Sequence, residues 1–229
     1  MNDLQNNQEA DYALPANTVT HPAITRFFAH LVSYIFHPLF IPLYATYYLA
    51  FMHPGYFIGI STNNKIWVLL RVANNMVFFP AVLVFLLKGV GFIDSIFLKT
   101  QKERIIPYIA SGTFFFWMYL VFRNQSQVPS ILTAFVFSVF ISSSVALIAN
   151  IYFKISMHAI GVGGLVGLML VILFTNTSSP VTLPLVITLL IAGIVCTSRL
   201  IVSNHTQKDV YLGVLYGVLC QVVGAWFVL

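Results

Sequence analysis

Charge is what this chain has least of. Only 7% of its 229 residues are Asp, Glu, Lys or Arg, against about 25% in an ordinary soluble domain, so no water-soluble fold fits. Acids are the scarcer sign, with six Asp and Glu against eleven Lys and Arg, for a net charge of +5. Much of that excess lies in loops beside apolar runs, where phospholipid headgroups are the natural counterions. Cysteine is nearly absent: Cys196 and Cys220 are embedded in apolar helical stretches and form no redox or metal-binding spacing. The first thirty residues lack the basic start and apolar core of a secretory signal. The aromatics fall within membrane-length runs and not on a basic soluble face, which excludes nucleic acid as a partner.

What the chain has instead is hydrocarbon. Apolar residues make up 59% of it, so the bilayer is its solvent and the first partner implied. Runs long enough to cross about 30 Å of hydrocarbon lie near Val32–Met52, Ile66–Leu87, Ile105–Phe122, Ile131–Phe153, His158–Phe174, Leu183–Thr197 and Val210–Leu229. Backbone polar groups in lipid must be bonded internally, and the weak alternation of a membrane barrel is missing, so these runs predict helices. The expected fold is all-α: one polytopic membrane helix bundle of six to seven transmembrane helices over residues 31–229, behind a polar tail over 1–30.

Three polar patches interrupt the hydrocarbon. The segment GVGFIDSIFLKTQKERIIPY predicts an interfacial helix feeding a basic loop with Lys99, Lys102 and Arg104. The others are Ser156 to His158 and the run SRLIVSNHTQKD, which holds Ser198, Arg199, His205 and Asp209. If each span crosses once, the three follow the second, fourth and sixth crossings and face the same side. A cation, an imidazole and a carboxylate at the mouth of membrane helices are costly to keep there and point to function.

The spacing Ser198-Arg199-x5-His205-x3-Asp209 matches in full the third signature of the type 2 phosphatidic acid phosphatase superfamily, membrane lipid phosphatases that this chain resembles as a divergent member. The family's second signature, Pro-Ser-Gly-His, is met by Ile155-Ser156-Met157-His158 in Ser156 and His158 only. Its first, Lys-x6-Arg-Pro, has Lys99-x4-Arg104-x2-Pro107 as its counterpart, with the residue types kept and the spacing altered. The resemblance covers about residues 94–229.

It implies a metal-independent reaction without a cofactor. His205 would be the nucleophile that takes the phosphoryl group, and Asp209 would bond the other ring nitrogen and fix the tautomer. His158 would protonate the leaving oxygen and then activate water. Arg104 and Arg199 would clamp phosphoryl oxygens with their planar forks, Lys99 or Lys102 would add a point charge, and Ser156 and Ser198 would donate further hydrogen bonds. A helix from Asn204 onward would set His205 and Asp209 on one face.

A site ringed by apolar spans favours a lipid phosphate as substrate. The same motifs also suit transfer of the phosphoryl group to a second lipid, and a non-catalytic protein that binds or carries phospholipid headgroups would use the same basic pocket. Other polar residues have plainer readings: His37-Pro38 and Pro42 shape the start of the first helix, and Gly161, Gly163, Gly164 and Gly167 allow close helix packing. The chain reads as an integral protein of a bacterial-type inner membrane. Arg26, Lys88, Lys99, Lys102, Arg104, Lys154, Arg199 and Lys208 fall on the site side against Lys65, Arg71 and Arg123 on the other, which argues for a cytoplasmic site. The family pattern argues for the opposite face, and the side stays open between the two.

Overall fold

The computed structural model describes residues 21–98, 100–175, 181–203 and 205–229. Lys99 and Asn204, and with them two of the expectations above, lie outside the described residues. The helices are α1 (Ala23–Ile35), α2 (Ile41–Tyr47, running into a π turn at Tyr48–Met52), α3 (Thr62–Gly89, with a π turn at Ala73–Phe78), α4 (Gln101–Arg123), α5 (Ser130–Tyr152), α6 (Met157–Thr175), α7 (Thr182–Val202) and α8 (Gln207–Val228). Among the described residues, six of them, α3 to α8, are long and apolar enough to cross a bilayer. The protein is an all-helical, polytopic integral membrane protein.

The expected first span over Val32–Met52 is broken in two. Pro38 has no N–H to donate and disfavours helical geometry at His37 before it, so α1 stops at Ile35 and a turn carries the chain to α2. Pro42 then sits in the first turn of α2, where a missing N–H costs nothing. In α3, Pro80 is accommodated similarly: the helix widens to a π turn just before it, and the Phe79 N–H reaches back to the Asn74 carbonyl. α1 begins at Ala23, inside the stretch assigned from sequence to the polar tail.

The interfacial helix predicted after the second run is not formed. From Val90 to Leu98 the chain is a series of turns, with Gly91 at φ +78° and Leu98 at φ +48°. The Glu103 carboxylate organises it by accepting the backbone N–H groups of Asp94, Ser95 and Thr100 at 2.8, 3.1 and 3.0 Å. Thr100 and Glu103 thereby form a capping box that starts α4 before the basic residues, placing Lys102 and Arg104 on a helix.

The core is the pair α6 and α8, packed backbone to backbone. A Cβ on Gly163 would come within 2.3 Å of the Val214 carbonyl oxygen, and one on Gly217 within 2.2 Å of the Ile160 oxygen. A Cβ on Gly217 would also lie 2.6 Å from the Gly164 nitrogen, and one on Gly167 would meet the Gln221 side chain at 2.7 Å, whereas Gly161 faces Pro38 and Ile41. Association in lipid gains no hydrophobic drive between helices, so close approach through small residues supplies the packing. The other helices surround this pair, with α4 against α5, α5 against α8, and α1 along α7.

Candidate functional site

The close α6–α8 packing decides where the polar patches go. At one end of the bundle the short α5–α6 connection lies across the start of α8, with the Ser156 N–H donating to the Asp209 carbonyl at 3.4 Å. Gly213 permits this, since a Cβ there would lie 3.0 Å from the Ser156 carbonyl and 2.8 Å from the Ala159 Cβ. The connections after α3, α5 and α7 all open at this end, so the three patches converge as the crossing count predicts.

His205 lies in the connection before α8, which begins only at Gln207. Its side chain is enclosed, 6% exposed. The ring Nδ1 lies 3.0 Å from the Lys154 carbonyl oxygen, which can only accept, so Nδ1 carries the proton and the lone pair is on Nε2. Burial, then the charges of Arg199 and Arg104, lower the pKa of this imidazole from 6.5 to about 4, against the opposing pull of Asp209. At neutral pH it is a neutral ring with a free nucleophilic nitrogen.

Asp209 does not make the expected bond to that ring. Its Oδ2 is 3.8 Å from Nδ1, too long for a hydrogen bond, because the same oxygen accepts the Thr206 N–H at 2.8 Å. Thr206 accepts the Asp209 N–H in return at 3.2 Å, so the carboxylate is part of a capping box for α8. The pair is close because of this cap turn and not because a helix from Asn204 sets both on one face. The carboxylate still counters positive charge on the imidazole, while the Lys154 backbone holds the tautomer.

His158 is in the first turn of α6, with Nε2 3.1 Å from the Ser33 carbonyl oxygen. That commits Nε2 and leaves Nδ1 for proton exchange. Ser33, buried on α1, also accepts from Arg199 Nη1 through its hydroxyl at 3.2 Å. His37 packs edge-on to His158, with ring centroids 5.4 Å apart. Ser33, His37 and Lys154 are therefore neighbours of the site that sequence reasoning missed. The Pro38 break was the available signal for His37; backbone carbonyls leave none.

The cations are unequal. Arg199 lies inside α7 and not in a loop, and Arg104 is on the first turn of α4, where its Nε donates to the Leu98 carbonyl at 2.9 Å. Both act electrostatically on His205. Arg104 Nη1 and Arg199 Nε are buried without a hydrogen-bond partner. Each such group costs about 1–3 kcal/mol or more, so this end of the bundle holds donors whose acceptors the fold does not supply. Lys154 is near the same charges, and burial foremost pushes its pKa down. Lys102 is exposed. Ser198 spends its hydroxyl on the Ile194 carbonyl at 2.8 Å, and Ser156, fully buried, accepts the Ala159 N–H at 3.5 Å as a helix cap. Neither is committed to a ligand. Among the described residues no three His, Cys, Asp or Glu side chains gather into a metal-ligand set.

The fold and this end of the bundle define a polytopic membrane protein with a cluster of arginine, lysine and histidine side chains at one end. No family model matches the chain, and no curated protein or solved structure matches it either.

Proposed function

We propose that this protein is a lipid phosphatase of the type 2 phosphatidic acid phosphatase kind, hydrolysing a phosphomonoester or pyrophosphate of a lipid through a phosphohistidine on His205. The observation that carries this reading is the enclosed neutral ring of His205, with its Nε2 lone pair free among Arg199, Arg104 and Lys154. In the first step His205 Nε2 attacks phosphorus, the N–P bond forms, the P–O bond to the leaving group breaks, and His158, entering the step as the imidazolium, gives that oxygen its Nδ1 proton and becomes neutral. Water then attacks phosphorus, its proton passes to His158, and the N–P bond breaks to release phosphate. Arg104 and Arg199 stabilise the charge that builds on the phosphoryl oxygens.

Support for a lipid comes from the groove between α1 and α7. It has a volume of about 730 Å³, is lined by Phe28, Val32, Leu190, Ile194 and Thr197, and reaches Ser198 beside Arg199. An acyl chain lying there would bring its phosphate to the guanidinium. The bilayer is a bacterial-type inner membrane. The resemblance turns the site outward and the cation count turns it inward; labelling a cysteine at Gln127, on the opposite end, from one side of intact cells separates the two.

The test is phosphate release from a panel of lipid phosphates by the detergent-solubilised protein with EDTA present, beside His205→Ala. Release that disappears in the variant, with an acid-labile phosphoenzyme trapped in the wild type, is the expected result. Near-normal release by His205→Ala would falsify the phosphohistidine route. A headgroup-binding or carrier protein is the second reading, favoured by the engagement of Asp209 in a helix cap. It predicts that Arg199→Ala weakens binding while His205→Ala changes little. Transfer to a lipid acceptor would show as a phosphorylated second lipid among the products.

A further inference from the structure

Beside the phosphoryl-binding corner, the α4–α5 interface buries polar atoms of Tyr108 and Asn150 that neither the fold nor the proposed chemistry uses. The two helices are antiparallel neighbours: Ser143 donates to the Tyr108 carbonyl at 3.2 Å, and two turns nearer the histidines Asn150 Nδ2 donates to the Gln101 carbonyl at 2.8 Å. Gln101, Arg104 and Tyr108 follow one another at three and four residues, so they share the α4 face that meets α5. Tyr108 packs with Ala146, Ala149 and Ile155, and a helical side chain leans toward its own N-terminus, which for α4 is the histidine end. The Tyr108 hydroxyl therefore reaches back toward Arg104 and Asn150.

Arg104 Nη1, Tyr108 Oη and Asn150 Oδ1 are buried without a well-aligned hydrogen bond, although the Arg104 guanidinium lies against the Tyr108 hydroxyl. Tyr108 is 7% exposed and Asn150 3%. The backbone acceptor on Nδ2 fixes the orientation of the Asn150 amide, so Oδ1 is a true acceptor. The set thus holds a donor, an acceptor and a hydroxyl that can serve as either. A second phosphoryl group would be a poor occupant, because its oxygens accept only and would face the Asn150 oxygen. An alcohol fits, since it donates to Asn150 Oδ1 while accepting from Arg104 Nη1 or Tyr108 Oη.

We propose that Arg104, Tyr108 and Asn150 form a hydroxyl-recognition subsite that selects lipid phosphomonoesters whose phosphate-bearing alcohol carries a free neighbouring hydroxyl, as a polyol headgroup does. This rests on the phosphate-binding reading of Arg104 and Arg199. Arg104 links the two halves, with one edge toward the phosphoryl group and Nη1 toward the hydroxyl. Catalysis through His205 is a separate claim.

The test is equilibrium binding of two short-chain lipid phosphomonoesters that differ only by a hydroxyl beside the phosphate. It uses the full-length protein carrying His205→Ala, so that turnover cannot intervene. About tenfold tighter binding of the hydroxyl-bearing lipid is expected, falling to within about twofold in Tyr108→Phe and in Asn150→Leu, with binding of the hydroxyl-free lipid unchanged in Tyr108→Phe. Equal affinities in the parent would overturn the subsite and would mean that ordered water satisfies these atoms. An undiminished preference in Tyr108→Phe and Asn150→Leu would overturn it as well. Wild-type turnover is scored separately: a preference kept without any turnover sinks the phosphatase reading and leaves the subsite standing.

Discussion

Arg71, toward the end of the bundle opposite the histidines, has its guanidinium on the Gln125 side chain and its carbonyl on the Asn75 amide, whereas Arg104 and Arg199 each keep a buried nitrogen unpartnered. The imidazoles differ in their neighbours. His53 lies between the rings of Tyr48 and Tyr56, with centroids 5.9 and 4.4 Å away; its Nδ1 accepts the Gly55 N–H and its Nε2 is unpartnered among aromatic rings, while His158 and His205, each bonded to a backbone carbonyl, have arginines beside them. The arginine is thus engaged by its neighbours at one end and held available at the other, and only at the second end are imidazoles and guanidinium groups brought together. In lipid an unmatched charge is expensive, and the proposed function assigns the ligand to the end where guanidinium nitrogens are left unpartnered.

The comparison breaks most sharply at His205. His205→Ala is expected to lower phosphate release by at least about a thousandfold, since removal of a covalent nucleophile leaves only binding and electrostatic effects. The equivalent change at His53, measured in the same assay, should leave turnover within about twofold.

Arginine geometry comes next. Arg199→Lys and Arg104→Lys should each cost about a hundredfold in kcat/KM, because an ammonium keeps the charge but loses the planar fork. Arg71→Lys should be neutral, and a similar loss at all three would show that the two ends are not distinct.

Gly213 tests whether packing positions the site. Gly213→Ala pushes a methyl group toward Ser156 and Ala159, at the start of the helix that bears His158, and is expected to cost about tenfold in turnover. Gly89→Ala, with nothing within 4 Å of the new Cβ, should cost none.

The smallest effect is in pH. With the His205 pKa lowered from 6.5 to about 4, chiefly by burial, the acid limb of kcat/KM attributable to the nucleophile should fall near pH 4. The unfolded ring binds a proton below its ordinary value while the folded ring does not. The His205 contribution to stability is therefore fully present above about pH 6.5 and declines as pH falls toward 4. Thermal midpoints of the wild type and His205→Gln should converge over that interval, and a constant difference would argue for an exposed ring.

Legibility from sequence followed the range of the interactions. Spans α4 to α6 were readable to within a few residues, since a continuous apolar run decides them locally. The run from Val32 to Met52 misled because its hydropathy is high throughout, and one imino acid at position 38 outweighed it. Arg199 was readable as a residue type but not as a helical one, because α7 continues past the apolar run to Val202. Asp209 was assigned to the imidazole, yet a threonine three residues before it competes for the same carboxylate and wins.

The sequence by itself determined that the protein lives in a bilayer, that it is helical, and that its scarce polar side chains gather at one end. Composition and run length suffice for those conclusions, because hydrocarbon leaves a backbone few alternatives. Tertiary structure decided which atoms face one another. It set the Lys154 carbonyl on His205, Ser33 between His158 and Arg199, and left Arg104, Tyr108 and Asn150 with unused polar atoms at one interface. Those relations join residues up to 166 positions apart in the chain. They depend on how helices pair, α6 with α8, α1 with α7 and α4 with α5, which is a property of two helices together and of no run alone.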